Sequence, residues 1–207
     1  MAKLIFKYAT MNSGKTIDLI RTVYNYKENN CKVIVMKPLI DTKAGNYIET
    51  RIGLKRKVDF LIDEKDLIVD ILSGQLKNVK CIFIDEAQFL TSSQVDELFK
   101  ITKICDIPVI CYGLRTNFKM KSFKGSQRLL EIADSLEEFK TLCFCGETAR
   151  YVGRRLNGSF ISKGKDIVID GTENIEYVPL CGKHYLKEVS KVNFDEFYKC
   201  ITKKDIN

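Results

Sequence analysis

The stretch Lys3-Leu4-Ile5-Phe6-Lys7-Tyr8-Ala9-Thr10-Met11-Asn12-Ser13-Gly14-Lys15-Thr16 decides how the rest of the chain is read. Lys3 to Tyr8 reads as a strand, and the spacing from Lys15 to Glu28 predicts a helix. The turn between them, Ala9 to Thr16, matches the phosphate loop G-x-x-x-x-G-K-[ST] except that Ala9 replaces the first glycine. Each residue type has a task. Gly14 lets backbone N–H groups face phosphate oxygens at a helix N-terminus, where partial positive charge already favours an anion. Lys15 reaches the β- and γ-phosphates, and Thr16 offers its hydroxyl to Mg²⁺. Ala9 can stand for glycine only with a negative φ, which predicts an altered loop entry.

Such a loop needs an acidic partner at a neighbouring strand end. Cys81-Ile82-Phe83-Ile84-Asp85-Glu86 supplies it, an apolar strand with two carboxylates at its C-terminal edge. That edge is where open α/β sheets bind ligands. Asp85 suits a Mg²⁺-holding role. Glu86 has two open readings: it polarises an attacking water in an ATPase, or takes the proton of an acceptor hydroxyl as general base in a small-molecule kinase.

Further strands are predicted at Lys32 to Met36, Val79 to Ile84 and Pro108 to Tyr112, apolar at nearly every residue as if covered on both faces. Helical spacing recurs over Glu64 to Ser73, Ser92 to Lys103 and Ser126 to Glu137. Strand–helix alternation of this kind predicts right-handed crossovers and a parallel sheet. The expected class is therefore α/β, a phosphate-loop parallel sheet over residues 1–140. Residues 141–190 form a smaller second part in which Val168 and Ile169 read as a short strand. Residues 191–207 make a polar tail with the pattern of a docked helix.

The chain has 207 residues, with 45% hydrophobic and 29% charged side chains and a formal net charge of +7. These values suit a globular protein and not a disordered one. No apolar run reaches the roughly 18 residues of a membrane span. The three-residue apolar run near Met1 is too short for a secretory leader. The expectation is a cytoplasmic protein without a membrane partner. The lysines form no block or stripe, so stable nucleic-acid binding is not expected.

Eight cysteines without an export signal argue against a disulfide framework. Cys143-x-Cys145 and Cys181-x-x-His184 gather three thiolates and the chain's single histidine, a Cys₃His set suited to structural zinc. Four protein ligands leave no open position for catalysis. The competing reading is a group of reduced cysteines beside a surface histidine, with Cys143 the least certain ligand.

Taken together, the phosphate loop, Phe83-Ile84-Asp85-Glu86-Ala87-Gln88-Phe89, Gly113-Leu114-Arg115-Thr116-Asn117-Phe118, Cys145-Gly146, Tyr177 and Cys181-Gly182-Lys183-His184-Tyr185 resemble thymidine kinases of the type II class. The match runs from about residue 3 to residue 188. The resemblance implies a RecA-like α/β domain, a small zinc-binding domain with a lasso loop, and a homotetramer. It implies transfer of phosphate from ATP with Mg²⁺ to thymidine, giving TMP, and dTTP as an end-product inhibitor. It also implies Glu86 as base on the 5′-hydroxyl, Gln88 and Phe89 lining the nucleoside side, Phe118 and Phe123 walling in the thymine, and Tyr177 near base and sugar. For the aromatics, ordinary core packing is the competing reading.

Three departures stand out. Asp41-Thr42-Lys43 replaces the usual Asp-x-Arg, and lysine lacks arginine's planar fork, so Arg51 is a candidate to serve instead. Asp170-Gly171 replaces Gly-Gly in the lasso, which is also about two residues longer before Tyr177. Three function classes follow: a nucleoside kinase, which the resemblance favours; a RecA-like ATPase acting on nucleic acid; and a non-catalytic zinc module.

Overall fold

The structure is a computed structural model and describes residues 1–41, 44–166 and 174–202. The chain begins β1 (Leu4–Ala9), α1 (Lys15–Glu28) and β2 (Lys32–Pro38), followed by a small hairpin of β3 (Tyr47–Glu49) and β4 (Lys55–Lys57). Next come β5 (Phe60–Ile62), the short α2 (Ile68–Ile71), β6 (Val79–Ile84), α3 (Ser92–Ile104), β7 (Val109–Leu114), α4 (Lys124–Ile132) and β8 (Ser135–Glu138). Six strands form one sheet in the order β5-β2-β6-β7-β1-β8, with every neighbouring pair parallel. This is the parallel, helix-flanked sheet that the phosphate loop predicts. Strands β6 and β1 both lie beside β7, so the two candidate functional edges sit one strand apart.

Apolar residues on alternate strand positions divide the core between the two faces. Phe6, Ile34, Ile82, Ile84, Leu98 and Leu129 pack on the face carrying α3 and α4, while Leu19, Val35, Phe83 and Tyr112 pack on the face carrying α1. Helix α3 starts at Ser92 as predicted, with Thr91 as its N-cap residue. There the Thr91 hydroxyl accepts from Gln94 N and the Gln94 side chain accepts from Thr91 N, a reciprocal cap.

Two predicted helices are corrected. The pattern over Glu64 to Ser73 yields only the four-residue α2. The pattern over Ser126 to Glu137 splits, because α4 ends at Ile132 and Ser135–Glu138 pairs with β1 as an edge strand. Leu136, an apolar position of that helical pattern, is half exposed on the strand. Asp134 makes the break: its carboxylate accepts from Leu4 N and from Lys103 Nζ, which turns the chain onto the sheet edge.

The remainder contains β9 (Thr141–Leu142), β10 (Thr148–Ala149), β11 (Tyr151–Leu156), β12 (Ser159–Ile161) and β13 (Ile175–Leu180), with β11 central in an antiparallel three-stranded sheet. A turn, α5 (Gly182–His184), leads into the π-helical turn Tyr185–Val189, and α6 (Phe194–Thr202) closes the described chain. This part has a small apolar core of its own, with Cys143, Ala149, Leu180, Cys181, Tyr185 and Val189 buried together. The tail does form a helix, but α6 has no buried residue, so it is not docked as expected. Val168, Ile169, Asp170, Gly171, Thr42 and Lys43 lie outside the described residues.

Candidate active site and metal-binding cluster

The phosphate loop joins β1 to α1 as the sequence predicts. Ala9 ends β1 in extended conformation and is not among the residues with positive φ, so its side chain is accommodated at the loop entry. Asn12 and Gly14 take left-handed φ values of 63° and 80°, which folds Thr10, Met11, Asn12 and Ser13 into a tight turn ahead of Lys15. For Gly14, the conformation itself disfavours any side chain. Lys15 Nζ donates to Thr10 O at 2.8 Å and to Ser13 Oγ at 3.2 Å, which holds the ammonium over its own loop. Thr16 follows in the first turn of α1.

At the end of β6, Asp85 is 5% exposed and its N–H donates to Met36 O at 3.0 Å. Glu86 follows in the left-handed region, φ 50° and ψ 36°, as it caps the 3₁₀ turn Ala87–Phe89. A non-glycine residue there costs about 1–3 kcal/mol and persists when its surroundings hold it. Gln88 does the holding. It is 2% exposed, its amide nitrogen donates to Glu86 Oε2, and its oxygen accepts from Leu114 N at 3.0 Å. The Gln88 amide is thus engaged behind Glu86 by strand β7. Gly113 makes this possible, because a Cβ there would stand 2.8 Å from Gln88 Oε1.

Burial, then Glu86, pushes the Asp85 carboxyl up from its ordinary range. Burial also pushes Glu86 up, while Lys15 and the Gln88 amide pull it back, Asp41 pushes it further and Lys37 pulls it down. Lys15 is lowered by burial, with both carboxylates opposing. Asp41 is itself paired with the fully buried Lys37, Nζ to Oδ2 at 3.0 Å. Three carboxyl groups thus face two ammonium groups, and a cation at the strand ends would favour the ionised form of Asp85 and Glu86 that burial opposes. Oxygen donors of this kind, with the Thr16 hydroxyl nearby in sequence to Lys15, suit a hard ion such as Mg²⁺.

The aromatic candidates fall into two groups. Phe89 and Phe123 meet edge to face, ring centroids 5.7 Å apart. Gly125 permits this approach, since a Cβ there would lie 2.5 Å from Ala87 O. Phe118 is buried, and Tyr177 is half-buried in β13. The Arg154 guanidinium carbon lies 3.7 Å from the Phe118 ring centroid and 5.2 Å from that of Tyr177. Sequence reading missed Arg154, as it missed Lys37. The only signal for Lys37 was a charge directly after the apolar run Val33 to Met36, and Arg154, beside Arg155 in β11, gave none. Arg51 is exposed in the turn joining β3 to β4.

All four metal-ligand candidates converge. Donor atoms of Cys143, Cys145, Cys181 and His184 lie within 4.8 Å of one another. Cys143 Sγ and Cys181 Sγ stand 3.5 and 3.3 Å from His184 Nδ1, and Cys145 Sγ stands 3.9 Å from Cys181 Sγ. Tetrahedral zinc with ordinary bond lengths requires edges of about 3.6–3.8 Å, so the donor set fits. Cys143, 2% exposed, belongs to it. Burial opposes its thiolate, but the N–H groups and thiols of Cys145 and Cys181 together outweigh that and lower the thiol below its usual value. Immediately after His184, the Tyr185 hydroxyl donates to Phe118 O at 2.6 Å. The cluster is therefore tied to the backbone at Phe118.

A profile of the family described as "TK: Thymidine kinase" matches residues 2–185. The chain belongs to the thymidine kinase family. A thymidine kinase of Streptococcus gordonii is 40% identical over 90% of this chain and 97% of its own, and that of Pasteurella multocida 41% identical over 92% and 100%. The thymidine kinase of Enterobacteria phage T4 is 41% identical over 93% of this chain and all of its own. Among solved structures, Bacteroides Pif1 bound to ssDNA aligns over 67% of this chain and 38% of its own at 14% identity, with a TM-score of 0.33, too slight a likeness to carry an argument. As an enzyme of the thymidine kinase family the chain must bring a nucleoside and a nucleotide together. No helix among the described residues is long and apolar enough to cross a membrane.

Proposed function

We propose that the protein transfers the γ-phosphoryl group of ATP to the 5′-hydroxyl of thymidine, with deoxyuridine as a second acceptor. Residues 1–140 supply the phosphate side, residues 141–190 the cover over the nucleoside, and residues 191–207 a tail outside the reaction. Ala9 to Lys15 cradle the triphosphate by backbone N–H groups, with the Lys15 charge on the β- and γ-phosphates. Thr16 and Asp85 hold the Mg²⁺ that accompanies ATP, an ion that draws charge from the phosphate oxygens. Phe89, Phe118, Phe123 and Tyr177 enclose the thymine, with Gln88 acting from behind Glu86 and Arg51 available from the β3–β4 turn.

Glu86 removes the proton of the 5′-hydroxyl as that oxygen bonds to the γ-phosphorus. The bond from phosphorus to the bridging oxygen breaks, ADP carries the electron pair away, and Glu86 later returns its proton to solvent. The observation that supports this reading is the Gln88 amide aiming Glu86 at a strand end within electrostatic reach of Lys15. Burial that raises Glu86 above an ordinary carboxylate makes it a better proton acceptor. Thymine and triphosphate subsites in one crevice also give dTTP both attachments at once, which favours end-product inhibition. Homotetramer assembly and a cytoplasmic place are carried by the family resemblance and are read by sedimentation and fractionation.

The deciding experiment is phosphorylation of labelled thymidine by Glu86→Gln. Turnover should fall about 10²- to 10⁴-fold, as on removal of a general base, with zinc content unchanged. Near-normal turnover removes Glu86 from the role. ATP hydrolysis that ignores thymidine but responds to single-stranded DNA would overturn the whole assignment.

A further inference from the structure

Arg154 is 1% exposed, yet it carries a charge that costs several kcal/mol to bury unpaired. Among the described residues no carboxylate forms an ion pair with it. Its charge is met by dipoles and ring faces instead. Nη1 donates to Lys165 O at 2.7 Å and Nη2 to Asp166 O at 3.1 Å, while the guanidinium covers Phe118 and approaches Tyr177, its partner in the β11–β13 register. The Asp166 carboxylate is spoken for by Lys119, Nζ to Oδ1 at 2.7 Å. One side chain from β11 thus binds a ring following β7, a ring of β13, and the backbone where the loop after β12 departs.

We propose that Arg154 is a positioning residue for the nucleoside: it sets the planes of Phe118 and Tyr177 and pins the loop at Lys165–Asp166, so that it governs thymidine affinity without taking part in phosphoryl transfer. The inference rests on the nucleoside subsite proposed above. Chemistry favours arginine for the task. A planar fork reaches two successive carbonyls while its face lies on an aromatic ring, and a lysine ammonium has neither the fork nor the plane. The Lys119–Asp166 pair is a second, weaker fastener of the same loop arm.

The test measures KM for thymidine, KM for ATP, kcat and bound zinc in Arg154→Lys, Arg154→Met and Asp166→Asn. The lysine variant should raise thymidine KM about three- to tenfold, the scale of one lost hydrogen bond. The methionine variant should raise it about ten- to a hundredfold, as both carbonyl bonds and the stacking go. ATP KM and zinc content should hold, and kcat should fall less than about threefold, because uniform loss of nucleoside binding leaves the chemical step alone. If the methionine variant misfolds, the other two decide. Zinc-replete, folded Arg154→Lys and Asp166→Asn with wild-type thymidine KM would overturn the proposal. Failure of the subsite itself looks different: Phe118→Ala and Tyr177→Ala would then also leave thymidine KM at the wild-type value.

Discussion

Lys37 ends β2 with its ammonium at 0% exposure, held by Asp41 Oδ2 and Tyr47 O, each at 3.0 Å. Its worth is electrostatic, since Asp41 acts on both Asp85 and Glu86. In Lys37→Met, Asp41 loses its ammonium partner and three carboxyl groups at the strand ends face Lys15 alone. Breaking a buried pair costs about 3–5 kcal/mol, and partial exposure of Asp41 reduces this to about 1–3 kcal/mol. Urea unfolding should show that loss and should show most of it recovered in Lys37→Met/Asp41→Asn; a double variant as unstable as the single one would rule the pairing out as the cause. Residues of this kind are hard to read in advance. Gly14, Lys15, Asp85 and Glu86 were legible because the spacing of the motif carries their chemistry. Lys37 and Arg154 were not, because a lone lysine or arginine is ordinarily exposed and only the tertiary contact reveals otherwise. The hold of the Gln88 amide between Glu86 and Leu114 N is likewise a tertiary contact that no local pattern announces.

Between residues and the whole lie the junctions of elements, and the α4–β8 break illustrates what local pattern omits. The apolar stripe continues past Ile132, with no proline or glycine to end it, so helical periodicity alone carries the helix to Glu137. Pairing with β1 overrides it, and Asp134 fastens the turn to Leu4 N and to Lys103 at the end of α3. The hydrogen bond from Lys103 chiefly holds the Asp134 carboxyl below its ordinary value, with burial opposing. A lowered folded-state value means stability that is fully present above the unfolded value near 4 and lost as pH falls through the folded one. Asp134→Asn should therefore cost about 0.5–1 kcal/mol at pH 7, the scale of a solvent-screened ion pair. The gap from wild type should close as the pH is lowered below about 4. Denaturant titrations at several pH values measure it, and a gap independent of pH would assign the effect to packing. By contrast β1, β2, β6 and β7 were legible to within two residues at either end, because strands covered on both faces must be apolar throughout.

At the scale of the molecule, the order β5-β2-β6-β7-β1-β8 could not be read from local pattern, since pairing across crossovers leaves no mark on neighbouring residues. The same long-range logic joins the metal cluster to the nucleoside side. Cys143 and Cys145 follow β9, Cys181 and His184 follow β13, and a zinc ion on all four would clamp the chain where it enters the β11 sheet to where it leaves it. Tyr185 then carries that anchorage to Phe118 through a 2.6 Å hydrogen bond, and Phe118 in turn stacks on Arg154. Stripping zinc should consequently harm one substrate more than the other. A chelator that removes the metal should lower the thermal midpoint, because structural zinc binding is folding free energy. At temperatures where the apo-protein stays folded, thymidine KM should rise about tenfold or more while ATP KM moves less than twofold, since the phosphate loop has its own anchorage in β1 and α1. Tyr185→Phe isolates the link: it keeps all four ligands and zinc, loses only the hydroxyl, and should raise thymidine KM about three- to tenfold. Should zinc removal raise ATP KM first, or Tyr185→Phe leave thymidine KM untouched, the metal cluster stabilises its own lobe and nothing beyond it.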